Sequence, residues 1–223
     1  MSDSAPSARS RDSIGNTLFV AIGVSLICSI LVASAAVILK PQQLKNEEEF
    51  RQRIILDVAG LYEPDADIAT LFAAIEPRMV DLASGEQAPV YLVMDGGEIE
   101  QVILPVEGAG LWATMYGFLA VESNGQIARG LRFYAHGETP GLGDQVDKPA
   151  WREQWQGKKL FGPDGKPKIT IIKGYAPDDS DFEIDGLAGA TLTARGVTSL
   201  VQYWIGENGY GPYLHQLDDK ESR

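Results

Sequence analysis

The sequence predicts an α+β protein in which a single N-terminal transmembrane helix precedes a domain with an antiparallel sheet and packed helices. Two observations predict this class. Residues 13–39 contain no charged side chain and consist mainly of aliphatic residues. Further along, two pairs of β-branched runs, each joined by a short turn, stand among segments with helical periodicity. Hairpins combined with helices are typical of the α+β class.

Residues 13–39 are long enough to cross a bilayer, because about 20 apolar residues span roughly 30 Å of hydrocarbon. The alternative is a cleaved signal peptide, since residues 33–35, Ala-Ser-Ala, resemble a cleavage site. The apolar run exceeds the apolar region of about 7–15 residues in a signal peptide, which favours a retained anchor. The single cysteine, Cys28, lies inside this segment, so no disulfide can form within the chain.

Charge limits the partners but does not settle the orientation of the anchor. The net charge of −12 argues against nucleic acid, whose phosphates would repel the protein. Under the positive-inside rule, the side of the span with more basic residues stays in the cytoplasm. More basic residues follow the span than precede it, so the rule would keep the domain in the cytoplasm. Long domains can nevertheless translocate regardless of charge. The residues counted are Arg9 and Arg11 before the span and Lys40, Lys45, Arg51 and Arg53 after it.

Two helices are predicted between the span and the first strand. The first covers residues 44–60, whose apolar residues recur at helical spacing, and Gly60 ends it. The second covers residues 65–74, with Asp65 or Asp67 near its N-terminus, and Pro77 ends it.

Four β-branched runs then predict two hairpins. Residues 89–94 and 99–104 flank Asp-Gly-Gly-Glu, and residues 117–122 and 126–134 flank Asn124-Gly125, a strong hairpin turn. Residues 149–156 are predicted as a short helix that carries Trp151 and Trp155, and residues 168–173 as a further strand.

Residues 185–193 combine two glycines with two threonines just before a helix predicted from Ala194 to Ile205. A helix N-terminus attracts anions through its unpaired N–H groups and positive dipole end, so Thr191 or Thr193 could lie beside a phosphate. The structural alternative is that these threonines only cap the helix.

Two glycine-rich loops are further candidates for ligand binding. Residues 108–117 contain Leu111, Trp112, Thr114 and Tyr116, an aromatic-rich set that could cover a ligand or could be buried at the start of a strand. Residues 136–143 contain Glu138, Thr139, Pro140, Gly141 and Leu142. In that loop Pro140 keeps Thr139 extended, Gly141 can take a positive φ, and Glu138 could accept a ligand N–H or remain a solvated carboxylate.

The sequence contains no recognisable set of residues for a metal site, for hydrolysis or for NADH binding. His136 has no second histidine nearby and His215 lies in a polar tail, so no metal site is predicted. No Ser-His-Asp set, phosphate-binding P-loop or Gly-x-Gly-x-x-Gly turn is present, so neither hydrolysis nor NADH binding is expected in this chain.

The segment Asp185-Gly-x-x-Gly-Ala-Thr191 resembles the flavinylation motif of FMN-binding domains in the C subunit of the Na+-translocating NADH:quinone oxidoreductase. Both glycine-rich loops and the stretch 206–213 are also similar to motifs of that family. The resemblance implies that Thr191 is esterified through its hydroxyl to the phosphate of FMN. Ala188 departs from the family, which commonly has Ser or Thr at this position.

The resemblance also implies which residues surround the FMN. They lie in the turn before the last predicted helix and in the two glycine-rich loops. The residues are Gly189, Ala190 and Thr191 from the turn, Leu111, Trp112, Thr114 and Tyr116 from the first loop, and Glu138, Thr139, Pro140, Gly141 and Leu142 from the second.

The implied function is electron transfer by a flavoprotein subunit in the bacterial inner membrane, with the flavin domain on the periplasmic side. Implied partners are sibling subunits that handle NADH, quinone and Na+, a flavin transferase, and membrane lipid. Two alternatives remain: the G-type flavin subunit of the related ion-translocating ferredoxin:NAD+ complex, and an anchored interaction module without enzymatic function. The predicted division is a tail (1–12), the span (13–39), a helical linker (40–85), the FMN-binding domain (86–215) and a polar tail (216–223).

Overall fold

A computed structural model describes residues 14–221, with side chains up to Asp218. The predicted N-terminal tail, with Arg9 and Arg11, lies outside the described residues. The chain divides into two compact units at the bond between Glu48 and Glu49. The described part of the first unit, residues 14–48, is helical, and the second unit contains the sheet.

Helix α1 runs without interruption over Ile14–Val58, a length of 45 residues. The sequence predicted a span over residues 13–39 and a separate helix over residues 44–60, but Pro41 lies inside one continuous helix. Proline removes one backbone hydrogen bond and can kink a helix, yet here the helix continues past it. No residue in the most apolar 18-residue window of α1 is buried, and the length and composition of the helix suffice to cross a membrane. Gly60, with φ of 73°, follows the end of the helix.

Five strands form one antiparallel sheet in which each strand pairs with the next along the chain. Both predicted hairpins are confirmed, because the strands on either side of each turn pair antiparallel. Gly96, Gly97 and Gly125 take positive φ in the turns, whereas Asn124 does not. The strands are β1 Ile75–Asp81, β2 Gln87–Asp95, β3 Glu98–Ala109, β4 Thr114–Glu122 and β5 Ala128–Ala135.

The predicted helical linker contains a strand that the sequence analysis missed. Helix α2 is only Ile68–Phe72, with Asp67 as its N-cap accepting a hydrogen bond from Thr70 N. Pro77, predicted to end a helix, lies inside β1. Proline is tolerated there because β1 is an edge strand and needs ladder hydrogen bonds on one side only.

The two faces of the sheet support two separate hydrophobic clusters. On one face Leu119 and Val121 pack in the larger cluster, which includes most of the buried residues of the C-terminal helices. On the other face Phe118 and Ala120 pack against Ile54, Ile55 and Leu56 from the last two turns of α1. The alternation along β4 follows from the period of two in a strand.

The remaining elements surround the larger cluster. The predicted helix over residues 149–156 is confirmed as α3 Pro149–Arg152 followed by a 3-10 turn, whereas the strand predicted over 168–173 is reduced to a two-residue β6. The described part of the predicted polar tail, residues 216–221, belongs to a helix in which Leu214 and Leu217 are buried. The elements after α3 are β6 Thr170–Ile171, β7 Glu183–Ile184 in parallel with β6, α4 Thr191–Ile205 and α5 Gly211–Glu221.

Candidate functional site

The turn formed by residues 185–191, called here the Thr191 turn, leads into helix α4. The sequence placed both threonines before the helix, but Thr191 is the first helical residue and Ala190 is the N-cap. Ala190 provides no side-chain hydrogen bond to the first turn. Thr191 is exposed, whereas Thr193 is only 1% exposed. The two candidate hydroxyls therefore occupy different environments.

A pocket of about 670 Å³ opens beside Thr191. Its lining includes three cationic side chains, Lys148, Lys173 and Arg195, and one carboxylate, that of Asp185. None of the three cations forms an ion pair with another residue in the described part of the chain. A phosphate attached at Thr191 would therefore meet an excess of positive charge as well as the N-terminus of a helix.

A second groove, of about 440 Å³, lies around Asp57, Arg129 and Arg132 and shares no lining residue with the first. None of the residues that line it carries a hydroxyl group. It offers no atom to which a flavin phosphate could be esterified, so the pocket beside Thr191 is the candidate site.

Asp185 fixes the start of the Thr191 turn through hydrogen bonds with three other residues. Its Oδ1 accepts from Ala176 N at 2.7 Å, and its Oδ2 accepts from Gln154 Nε2 at 3.2 Å. Its own backbone N donates to Gln154 Oε1 at 2.9 Å, while its carbonyl oxygen accepts from Trp151 Nε1 at 2.9 Å. Asp185 thus ties the turn to α3 and to the loop after β6.

Two glycines in the turn are required for different reasons. A Cβ at Gly186 would collide with the carbonyl oxygen of Ile172 and lie 3.0 Å from Gly174 N, so only glycine allows this backbone approach. Gly189 has φ of 75°, a conformation that residues with a Cβ rarely adopt. Between them, Ala188 is held through its carbonyl oxygen, which accepts from Gln145 Nε2 at 3.0 Å.

The loop over residues 110–113, called here the tryptophan loop, meets the loop over residues 136–143, called here the proline loop. The indole N–H of Trp112 donates to Thr139 Oγ1 at 3.0 Å, although the Trp112 side chain is 70% exposed. Glu138 is buried and accepts hydrogen bonds from the backbone N–H groups of Leu111 at 2.8 Å and Trp112 at 3.3 Å. The sequence left open whether Glu138 is a solvated carboxylate, and its burial and hydrogen bonds show that it is not.

The proline loop also reaches the Thr191 turn. Gly141 takes the predicted positive φ, 79°. The Cδ2 atom of Leu142 lies 2.9 Å from the position that a Cβ on Gly189 would occupy. Thr139, Pro140, Gly141 and Leu142 are all exposed. Residues of this loop thus stand near the predicted attachment point.

Not every predicted site residue comes together with Thr191. Thr114 and Tyr116 belong to strand β4 rather than to a loop. The ring of Tyr116 packs against Tyr134, with centroids 6.1 Å apart, and Tyr134 in turn contacts Phe118 of the smaller cluster. Tyr116 therefore faces the side of the sheet opposite to the one that packs against α4.

Sequence reasoning missed several residues that shape the site. Gln145, Trp151 and Gln154 hold the turn, but each acts on a partner at least 31 positions away. The only signal in the sequence was the presence of these residues near glycine-rich segments, which does not identify a partner.

The histidines have structural contacts. His136 Nε2 lies 2.8 Å from Asp147 Oδ2, and its Nδ1 accepts from Glu138 N at 3.2 Å. His215 packs against the ring of Phe161, with centroids 4.8 Å apart. Among the described residues there is no cluster of His, Cys, Asp and Glu that could hold a metal ion.

Comparisons with known proteins agree on one family. A model of the FMN-binding domain matches residues 110–206, which include both loops and the Thr191 turn. The chain is 42% identical to the C subunit of the Na(+)-translocating NADH-quinone reductase of Yersinia pestis, over 94% of this chain and 95% of that protein. It is 40% identical to the C subunit of the Vibrio alginolyticus reductase, over 96% of this chain and 99% of that protein.

Solved structures give the same result for the fold. NqrC of Shewanella oneidensis is similar with a TM-score of 0.71 and 28% identity, over 75% of this chain and 96% of that chain. The C subunit of the Parabacteroides distasonis reductase is similar with a TM-score of 0.68 and 26% identity, over 79% of this chain and 96% of that chain. The predicted family and the predicted fold class are both confirmed: this chain belongs to the family of C subunits of the Na(+)-translocating NADH-quinone reductase and contains the FMN-binding domain.

Proposed function

We propose that Thr191 carries FMN through a phosphoester bond to its side-chain oxygen, and that the chain is the electron-transfer subunit of a membrane Na+-translocating NADH:quinone reductase. The observation that carries this proposal is the contrast between the two threonines in the first turn of α4. Thr191 is exposed at the rim of the 670 Å³ pocket, whereas Thr193 is buried and hydrogen-bonded. Of these two hydroxyls, only that of Thr191 is accessible for modification.

The surroundings of Thr191 support a phosphodiester at this position. Ester formation joins Thr191 Oγ1 to phosphorus with net loss of water and leaves a negative charge on the phosphate. The first turn of α4 has no side-chain cap, so its N–H groups remain available to an anion. Lys148, Lys173 and Arg195 add positive charge around the same pocket.

Exposed apolar side chains near the turn support contact with the flavin ring. Leu111 and Trp112 are exposed on the tryptophan loop, Leu142 on the proline loop and Leu192 at the start of α4. A cofactor attached covalently needs little additional binding energy, so its ring can remain partly open to a neighbouring electron carrier. When bound, FMN supplies reversible storage of electrons, and the residues of this chain hold and orient it.

The anchor and the partners are part of the same proposal. Helix α1 spans the bacterial inner membrane once and places the flavin domain in the periplasm beside membrane lipid. A flavin transferase attaches the FMN, and sibling subunits handle NADH, quinone and Na+. The G-type flavin subunit of the ferredoxin:NAD+ complex and a non-enzymatic interaction module are less well supported, because the relatives at 40–42% identity are named as C subunits of the Na(+)-translocating reductase.

The experiment compares four full-length proteins made in a host that contains the transferase. Thr191→Ala should remove both the fluorescent flavin band in a denaturing gel and the mass gain of one FMN minus one water. Thr191→Ser keeps a hydroxyl and tests whether the acceptor oxygen is sufficient. Ser199→Ala removes another exposed hydroxyl of α4, away from the pocket, and should leave the band unchanged, as in the wild type. A flavin band that survives Thr191→Ala would refute the proposed attachment.

A further inference from the structure

We propose that Glu138 is a positioning residue whose buried carboxylate holds the tryptophan loop and the first turn of α4 in one arrangement around Thr191, instead of hydrogen-bonding the flavin. The link to flavin chemistry rests on the proposed function. The hydrogen bonds that support the proposal belong to the protein alone, so the two can be tested separately.

Protein donors occupy both oxygen atoms of Glu138. Oε1 accepts from the backbone N–H groups of Leu111 and Trp112, and Oε2 accepts from the hydroxyl of Thr193. Glu138 is 5% exposed and Thr193 is 1% exposed, so water does not replace these donors. The side chain connects three segments separated in the sequence: the tryptophan loop, the proline loop and α4.

Two glycines make room for this carboxylate. A Cβ at Gly110 would collide with Glu138 Oε1, and a Cβ at Gly143 would lie 2.8 Å from both Glu138 Oε2 and Glu138 Cβ. The same Cβ at position 143 would lie 3.0 Å from Thr193 Oγ1. The backbone of both loops thus closes around the Glu138 side chain, as expected for a built site rather than a chance contact.

No cation pairs with Glu138 among the residues that the structure describes. A buried carboxylate without a counter-ion depends on its hydrogen-bond donors, and those donors depend on it in turn. Because Thr193 is two residues after Thr191, the same contact fixes the helical turn that carries the attachment point. The bond from Trp112 Nε1 to Thr139 Oγ1 closes the arrangement on the exposed side.

Hydrogen exchange tests the positioning role without any flavin. The full chain in detergent is compared with Glu138→Ala and Glu138→Gln. In Glu138→Ala the amides of Leu111 and Trp112 should exchange about tenfold faster or more, because each loses a hydrogen bond to a charged acceptor. Glu138→Gln should restore most of the protection, since its carbonyl can accept from both amides and its NH2 can donate to the Thr193 oxygen.

The flavin provides a second measurement on the same proteins. A nearby indole quenches flavin emission, so releasing Trp112 in Glu138→Ala should raise the emission per bound flavin, and Glu138→Gln should return it to the wild-type value. A wild-type protein without covalent flavin would refute the proposed function, but the exchange measurement would still test Glu138.

Two results would overturn the inference. One is wild-type exchange at Leu111 and Trp112 in Glu138→Ala, and the other is an equal rise throughout β3 and β4, which would indicate general destabilisation. If Glu138→Ala does not fold, Thr193→Val and Thr193→Ser replace it. Val removes only the donor to Oε2 and should loosen the first turn of α4, whereas Ser should not. Identical exchange in these two variants would also refute the role of Glu138.

Discussion

Thr191 and Thr193 lie two residues apart on α4, yet one side chain is exposed at a pocket and the other is buried against Glu138. The reason is helical geometry. With 3.6 residues per turn, positions separated by two residues point in directions about 200° apart. The fold therefore distinguishes two hydroxyls that look alike in the sequence, and leaves only the first exposed to solvent.

Gly186→Ala should destabilise the protein by about 1–3 kcal/mol, as overpacking against rigid neighbours does. The atoms that the new methyl group would meet, Ile172 O and Gly174 N, belong to the backbone and cannot rotate away. Urea unfolding followed by tryptophan fluorescence measures the loss. Ala188→Ser is the matched control in the same turn, because Ala188 is exposed and should tolerate a hydroxyl. Equal stability of the two variants would contradict this account of the turn.

Asp57→Asn should lower the free energy of unfolding by about 1–2 kcal/mol, since one partly exposed carboxylate serves two arginines. Asp57 Oδ2 accepts from Arg132 of β5 and, at 3.0 Å, from Arg152 of α3. Without the carboxylate the two guanidinium groups repel each other. Asp181→Asn, which removes the exposed pair with Lys159, is the control and should have no measurable effect. A loss in the Asp57 variant no larger than in the control would show that this ion-pair cluster is not stabilising.

Tyr210 and Tyr213 should respond differently to loss of the hydroxyl. Tyr210 OH donates to Pro105 O at 3.1 Å, so Tyr210→Phe should cost about 1 kcal/mol of stability. Tyr213 OH is buried and has no hydrogen-bond partner among the described residues, so Tyr213→Phe should be neutral or stabilising. Thermal unfolding of both variants gives the comparison. A larger loss for Tyr213→Phe would mean that its hydroxyl has an important partner in solution.

Stability should fall at alkaline pH because burial raises the pKa of Tyr210, Tyr213 and Tyr134 above the ordinary value of 10.0. Above that value the folded protein holds phenolic protons that the unfolded chain has lost. The stabilisation is therefore complete below about pH 10 and declines as the pH rises further, by up to about 1.4 kcal/mol per pH unit for each group. Tyr210→Phe should make this decline less steep. An unchanged slope between about pH 9 and about pH 11 would contradict the assignment to Tyr210.

Local chemistry explains which elements of the fold the sequence predicted. The hairpins at Gly96-Gly97 and Asn124-Gly125 depend on adjacent residues, and both are present. Strand β1 was missed because Glu76, Pro77 and Arg78 interrupt any alternation, and the strand exists only through its pairing with β2. The burial of Leu217 in α5 was not predicted, because most of the residues around it are polar.

In the candidate site, too, the sequence predicted what depends on consecutive residues and missed what depends on distant ones. The family motif located Thr191 and the loops because their residues are consecutive. The contacts that support the turn join residues far apart, such as Glu138 with Thr193 and Gln154 with Asp185. No property of one segment alone reveals those pairs. The attachment of FMN itself remains a prediction.

The end of helix α1 sets where a water-soluble fragment of this protein can begin. Ile54, Ile55 and Leu56 are each at most 1% exposed and fill the face of the sheet around Phe118 and Ile103. A fragment trimmed back to Gly60 would leave that face bare and prone to aggregation. A fragment that starts near Glu49 would omit the apolar stretch while keeping the residues that close the core.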